Sequence, residues 1–522
     1  MLFSTTVHRW IYLAGLAITA CALPVSKFAT SVGLIVLAAN FMLSGQWAAR
    51  WDRLRANRPL QLSLLVYAPL LLSACYSADV GAALSKLRMS LPLLLLPLVV
   101  GLSPELSRQQ LRALLGLFVL TVLVATALLS VELVRYYHGA YLDVREVSVY
   151  ISHIQFALML ALAEAALAYL CAMTRRCALR VLMVLCALWF VVFALLLRSL
   201  TGLLLQLWLL LVLLYFSRTT ADRYWRMGIY ALSGVSVLGA LLLLGGMMHR
   251  YARIEPIDLA ALPALTPNGN PYAHDTLSTA RENGHLTNIC LCELELRPAW
   301  NARSAFPYDS LDMRGQRIAI TLRRYLTSLG LPKDSLGLAQ LDSTDIALIE
   351  RSYPSVIYRH GWHQLYLRFY EVMNELEQYA QSGAMVGYSL TMRLAYWRLA
   401  IEAIAEHPWL GVGCGDMLPQ LFAHYEAHGI PPRQWHLPHN QFLTVGVYAG
   451  LLGMAIFALG LVAPFILRNG HKHMMPSFFY GMMLLLMLYE NPLDAHIGVT
   501  LMGLFGGLFL FGYSWDDDGA MR

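Results

Sequence analysis

Apolar blocks of about 16–25 residues recur along the chain, separated by short stretches rich in arginine, glycine and proline. Blocks of that length cross a hydrocarbon core of roughly 30 Å as helix, the form that satisfies every backbone polar group without water. The pattern predicts about twelve membrane spans. Their centres fall near Gly15, Leu37, Leu70, Leu95, Leu120, Leu160, Phe190, Leu207, Leu238, Met454, Leu485 and Gly506, and the second is short. Between the ninth and tenth the pattern changes, and a long polar segment runs from Arg250 to Leu437. The expected organisation is therefore spans one to nine over 1–249, a helical loop domain over 250–437, and spans ten to twelve over 438–522. The first apolar block, Trp10 to Phe28, lacks a small-residue cleavage site and reads as a first span rather than a signal peptide.

The long segment has its own helical periodicity. "RIAITLRRYLTSLG" spaces its apolar residues on one face and its basic residues on another. "STDIALIERS" opens on residues suited to a helix N-cap. "YRHGWHQLYLRFYEVMNELEQYAQSG" reads as a long aromatic-rich helix stopped by Gly383, and "SLTMRLAYWRLAIEAIAEHP" as one stopped before Pro408. "HPWLGVGCGDM" then makes a glycine-rich turn. Such a string suits a lid or cap carrying a site.

Composition confirms the class. Hydrophobic residues make up 58% of the chain and charged residues 13%, which together indicate an integral membrane protein. The net charge of +6 needs no nucleic acid to explain it, because much of it lies in short loops between spans. One alternate set of loops holds Arg50, Arg53, Arg55, Arg58, Arg108, Arg112, Arg175, Arg176, Arg180, Arg218, Arg223, Arg226, Arg468 and Lys472. The other set holds mainly Lys86, Arg88, Arg135 and Arg145. The first set is expected in the cytoplasm, which puts both termini inside and the long segment outside. Outside is the periplasm if the host is Gram-negative.

Of eight cysteines, Cys21, Cys75, Cys171, Cys177 and Cys186 lie in or beside spans and read as small hydrophobes. Cys290, Cys292 and Cys414 lie in the polar segment. A disulfide from Cys414 to either of the others is an open option in an oxidising compartment. No paired-cysteine metal motif, HExxH, Asp-rich motif, P-loop lysine or Ser–His–Asp arrangement occurs. Chemistry here is expected to need no metal: one base, with arginines as electrophilic stabilisers.

Candidate residues cluster at the expected outer face. His439, at the start of the tenth span in "HLPHNQF", is placed to take a proton from a sugar hydroxyl; the bland alternative is an interfacial histidine beside a helix cap. Asn440 can bond the ring or a substrate, or simply cap the helix. Arg393 and Arg398, in "MRLAYWRLA", point to different faces; either can bind a diphosphate or snorkel to water. Arg198 interrupts the apolar run "FALLLRSLTGLLLQLW", where a charge is costly unless it faces a cavity or partner. Asp416 can orient a histidine, although capping the next helix is the favoured reading. Asp494 and His496, in the turn "NPLDAH", are weaker candidates, and Glu132 and Arg135 suit an interfacial pair.

These motifs resemble the O-antigen ligase superfamily, which also includes O-antigen polymerases and some protein O-oligosaccharyltransferases. The ligase signature is His, then Asn, Ser or Gln, then nine residues, Gly, two residues, and Thr or Gly. Here His439 and Asn440 are followed by "QFLTVGVYA", Gly450, "LL" and Gly453. "RLAYWRLAIEAIAEHPWLGVGCGDM" is similar to the family segment before that motif, and "LLLRSLTGLL" to an earlier one. The combination looks most like ligase-family proteins of Bacteroidetes type. In "ISHIQF" Gln155 stands where similar sequences suggest an arginine, with His153 nearby.

The resemblance implies an all-α polytopic glycosyltransferase of the GT-C-like kind, in the bacterial inner membrane with its site facing the periplasm. The donor would be a glycan on undecaprenyl diphosphate, and the acceptor a sugar hydroxyl of lipid A–core. His439 would be the general base. Arg393 and Arg198 would grip the diphosphate, with Asn440, His436, Arg398, Gln155 and His153 in substrate-binding positions. Transfer would invert the anomeric carbon without metal or cofactor. The competing readings are a polymerase joining lipid-linked repeats, a protein O-oligosaccharyltransferase, and a non-enzymatic polysaccharide flippase. A flippase would call for paired broken helices and charges deep in several spans.

Overall fold

The computed structural model describes residues 4–137, 150–197, 199–218, 223–359, 364–382 and 389–515. The chain is an all-α polytopic membrane protein. Its helices, in order, are α1 (Thr5–Ala22), α2 (Lys27–Leu43), α3 (Trp47–Ala56), α4 (Arg58–Ser63), α5 (Ala68–Ala74), α6 (Val80–Ser90), α7 (Pro92–Leu102), α8 (Arg108–Tyr137), α9 (His153–Met173), α10 (Cys177–Leu196), α11 (Leu200–Ser217) and α12 (Arg223–Ala252). The polar segment supplies α13 (Glu293–Asn301), α14 (Ile318–Ser328), α15 (Ser335–Ala339), α16 (Ser343–Glu350), α17 (Gln364–Ser382), α18 (Ser389–Glu406) and α19 (Met417–Ala427). α20 (Gln441–Leu467), α21 (Met474–Met487) and α22 (His496–Leu501) complete the chain, and π-helical turns extend α22 to Gly512.

Six stretches among the described residues are long and apolar enough to cross a membrane: Val80–Leu102, Arg108–Arg135, His153–Met173, Cys177–Leu196, Arg226–Ala252 and Gln441–Leu467. α2 and α3, bent by 107° at their junction, would make a seventh. The other apolar blocks are shorter, interrupted or, as in α1, diluted by polar residues such as His8 and Arg9. The block around Leu70 is cut into short pieces by Pro59 and Pro69, each in the first turn of a new helix, where proline's missing N–H costs nothing.

The helices group into two compact units, Met1–Ser233 with Gln378–Arg522, and Gly234–Glu377. In the first, α9 is the central helix and is buried on almost every side. It carries the carboxyl group of Glu164, which accepts from Gln206 Nε2 on α11 at 3.3 Å, a polar contact between two apolar helices. α18 packs on α20, and α20 packs on α4 and α5. α18 and α19, which the sequence groups with the polar loop, thus belong to the helical bundle.

In the second unit α13 to α16 enclose a core of Trp300, Tyr308, Leu322, Tyr325 and Ile349. The N-cap of α16 is Asp342, one residue ahead of the expected Ser–Thr–Asp cluster; it forms a reciprocal capping box with Asp345. A short antiparallel hairpin pairs Arg281–Glu282 with His285–Leu286 through Asn283-Gly284, both at positive φ. All eight cysteines are free thiols, so Cys414 pairs with neither Cys290 nor Cys292.

Candidate active site

Three consecutive residues ahead of and within the first turn of α20 are fastened to the loop that follows α21. His439 Nδ1 is 2.9 Å from Glu490 Oε2. Asn440 caps α20, its Oδ1 accepting from the Leu443 amide at 3.0 Å, while its Nδ2 donates to the Leu488 carbonyl at 2.9 Å. Gln441 accepts from the Leu493 amide at 2.9 Å and donates to Asp494 Oδ2 at 3.1 Å. Asn491 adds a fifth tie, donating to the Thr444 hydroxyl at 2.6 Å. The sequence HNQ is therefore read, residue by residue, against LYENPLD.

Glu490 is 9% exposed and joins two candidates. One carboxylate oxygen faces His439, and the other accepts from Arg393 Nη2 on α18. The Arg393 guanidinium also lies 6.0 Å from the centroid of the Tyr489 ring. Tyr396, one turn along α18, sets its ring 6.0 Å from that of His439, and its hydroxyl donates to the Gln434 carbonyl. Positions 393 and 396 share a helical face, so one helix delivers both. The His436 ring stands 6.1 Å from His439. Burial, and secondarily the neighbouring His439, push the pKa of His436 below the usual histidine value.

Glu490 escaped the sequence reading, which began its outer turn one residue later, at Asn491. The available signal was a carboxylate at the end of the apolar block "GMMLLLMLY". A carboxylate bonded to Nδ1 fixes the imidazole's orientation and leaves Nε2 as the nitrogen for proton transfer. His439 itself has φ +52, in the left-handed region where histidine is better tolerated than most residues.

The other candidates are placed differently. Arg398 is 67% exposed and pairs with Glu402 one turn on, away from Arg393. His153 and Gln155 open α9, where the Gln155 amide donates to the capping Ser152 hydroxyl at 3.3 Å. Arg198 lies outside the described residues. Its neighbour Ser199 caps α11, and the Thr201 hydroxyl lies beside that of Tyr489. Asp416 makes no side-chain cap to α19; its carboxylate accepts from the Ala78 and Asp79 amides at 2.6 and 3.1 Å, because the glycine turn folds it back onto the start of α6. Asp494 pairs with Lys86 on α6, and His496 lies 3.4 Å from the Ser31 hydroxyl. Exposed Arg135 pairs with half-buried Glu132 at 3.0 Å.

The glycines of the motif have a physical cause as well. α20 is broken at Gly450, with φ +64 and ψ −170, a combination open essentially only to glycine. The break frees the Val447 and Tyr448 carbonyls, which accept from the amides of Val412 and Gly413, both at 3.0 Å. Leu451 in turn donates to Pro408 O at 2.8 Å. A Cβ on Gly450 would fall 2.3 Å from the Trp409 backbone. The turn "PWLGVG" thus serves as the hydrogen-bonding partner of the broken span, as buried non-helical backbone in an apolar setting requires.

Residues 354–458, from α17 through most of α20, match the family described as O-antigen ligase. This segment is similar to an O-antigen ligase domain. It contributes His439 and Arg393, while Glu490 is supplied from beyond it. The matched family comprises membrane ligases and polymerases that act on a lipid-linked glycan and an acceptor. No curated protein matches the chain.

Proposed function

We propose that this protein is an O-antigen ligase type of glycosyltransferase, moving a glycan from undecaprenyl diphosphate to a sugar hydroxyl of lipid A–core at the periplasmic face of the inner membrane. The observation that carries the reading is Glu490 bridging His439 and Arg393, two candidates that the segment similar to an O-antigen ligase domain itself supplies. Glu490 holds Nδ1, and Nε2 takes the acceptor's hydroxyl proton. The acceptor oxygen then bonds to the anomeric carbon from the face opposite the diphosphate. The bond from that carbon to the diphosphate oxygen breaks, and undecaprenyl diphosphate leaves with the electron pair. Configuration inverts. Arg393 and Arg198 hold the diphosphate and neutralise charge as it departs. Asn440 acts by positioning His439, and His436, held neutral by burial, lines the acceptor side.

The test is reconstitution of purified protein with a lipid-linked donor and a choice of acceptors, with and without EDTA. Wild-type protein is expected to glycosylate lipid A–core in EDTA, and folded His439→Ala and Arg393→Ala to lose transfer. Near-normal transfer by either variant removes that residue from its role, and loss in EDTA removes the metal-free route. Product on a second lipid-linked repeat would make the protein a polymerase, product on a polypeptide a protein oligosaccharyltransferase. No product on any acceptor, with donor moved across vesicles, would make it a flippase.

A further inference from the structure

A second polar site lies wholly within the unit Gly234–Glu377. A cavity of about 270 Å³ is lined by His285, Leu286, Ile289, Cys290, Leu331 and Lys333, with Glu255 and Ile257 at its edge. Lys333 is 3% exposed. Its Nζ donates to the carbonyls of Ile289 at 3.1 Å and Leu286 at 3.3 Å. Among the described residues no carboxylate forms an ion pair with it. A buried ammonium held only by carbonyl dipoles is costly, and an anion beside it would offset that cost.

The charged neighbours are otherwise engaged. Asp334, next in the chain, accepts from the Gly337 amide at 2.7 Å and from the Tyr272 hydroxyl. Glu255 lies 3.8 Å from His285 Nδ1. Cys290 faces Lys333 as a thiol whose pKa burial raises. Burial likewise pulls the Lys333 ammonium down to about 8, with Cys290 opposing. The wall is fixed by backbone: Lys333 donates to the Cys290 carbonyl at 2.8 Å, and Cys292 donates to that of Lys333 at 2.9 Å. Gly330, at φ +70, lets the His285 ring approach to 2.8 Å of where a Cβ would stand. The volume is below the ~300 Å³ at which drug-sized pockets begin.

We infer that this cavity is a binding site for a small organic anion, a carboxylate or phosphate on a group no larger than one sugar ring, with Lys333 as its counter-ion. The residues concerned are none of those around Glu490, so the site does not depend on the proposed transfer chemistry. Acidic sugars and sugar phosphates share the recognised group, and the probes separate them.

The experiment is calorimetric titration of the full-length protein in detergent with glucuronate, glucose 6-phosphate, inorganic phosphate and uncharged glucose. At least one anion is expected to bind saturably, and glucose at least tenfold more weakly. Lys333→Met is expected to weaken anion binding tenfold or more. Ile257→Trp, an exposed lining position that narrows the mouth, is expected to do the same if Lys333→Met fails to fold. Glucuronate stays ionised throughout, so on the alkaline side its affinity follows Lys333, whose ammonium persists to about pH 8. Above that it should fall by up to about tenfold per unit as Lys333 loses its proton. Unchanged affinity in both variants, a flat pH series, equal binding of glucose, or no saturable binding of any anion to folded wild-type protein would overturn the assignment.

Discussion

At His439 the backbone is held at φ +52, an arrangement that costs of order 1–3 kcal/mol and persists only where neighbours enforce it. Here the neighbours are Asn440, clamped at both ends of its amide, and Glu490 on the ring. Glu490→Gln keeps the shape and removes the charge that Arg393 and His439 share. Transfer should fall by about 10²–10⁴-fold, the usual weight of a positioned acid–base group, in protein that still folds. The double variant with His439→Ala should lose less than the product of the two single losses, because the part of the Glu490 effect that acts through the imidazole has nothing left to orient. Multiplying losses would show the two acting separately. Asn440→Asp retains the cap to Leu443 but loses the donor to Leu488, whereas Asn440→Ala loses both. Thermal unfolding should rank Ala about 2 kcal/mol below wild type, with Asp between, from roughly 1 kcal/mol each for cap and hydrogen bond. His439 and Arg393 were legible in sequence as candidates, and their proposed roles only through the resemblance to the ligase family. Glu490 was not, since its pairing spans 51 and 97 residues and follows from folding alone.

At the scale of elements, the break in α20 turns two stretches of sequence into one device. The spacing from His439 to Gly450 and Gly453 was readable as a motif, yet its cause was not, because "PWLGVGCG" looked like an ordinary turn. The structure pairs them: the turn's amides take the carbonyls that the break releases. Gly450→Ala must leave its backbone region and also displace Trp409, so a loss of about 2–3 kcal/mol or more is expected from strain alone. Since the half-helix above the break begins at Gln441, just after His439 and the capping Asn440, transfer should fall along with stability. Gly239→Ala in α12, where a Cβ would meet nothing within 4 Å, is the control and should be neutral in both unfolding and transfer assays. A Gly450→Ala protein with wild-type melting temperature would mean the break is incidental. The same logic explains the span around Leu70: the apolar pattern marks membrane depth faithfully but is silent about proline and glycine interruptions that divide a crossing into pieces.

For the whole molecule, the membrane class was legible because burial in lipid demands long apolar blocks whatever the function, and charge between the blocks predicts their direction. The extent of the polar loop was less so. α18 and α19 have the mixed composition of loop helices, yet they pack with the bundle, since their apolar faces meet α20 and one another. Direction is the remaining large-scale expectation, and it is open to a direct test. Arginines gather in one alternate set of loops, Arg175, Arg176 and Arg180 among them, and cytoplasmic retention of such loops would leave the unit containing Leu277 outside. Leu277 is 93% exposed, so a cysteine there is open to solvent. With the eight native cysteines replaced, Leu277→Cys should react with a membrane-impermeant maleimide in intact spheroplasts, and Arg176→Cys only after lysis. Both positions reacting from the same side would contradict the charge rule for this chain. The reverse pattern would place the Leu277 loop in the cytoplasm, and with it would fall the expectation that the lipid-linked donor is met at the outer face.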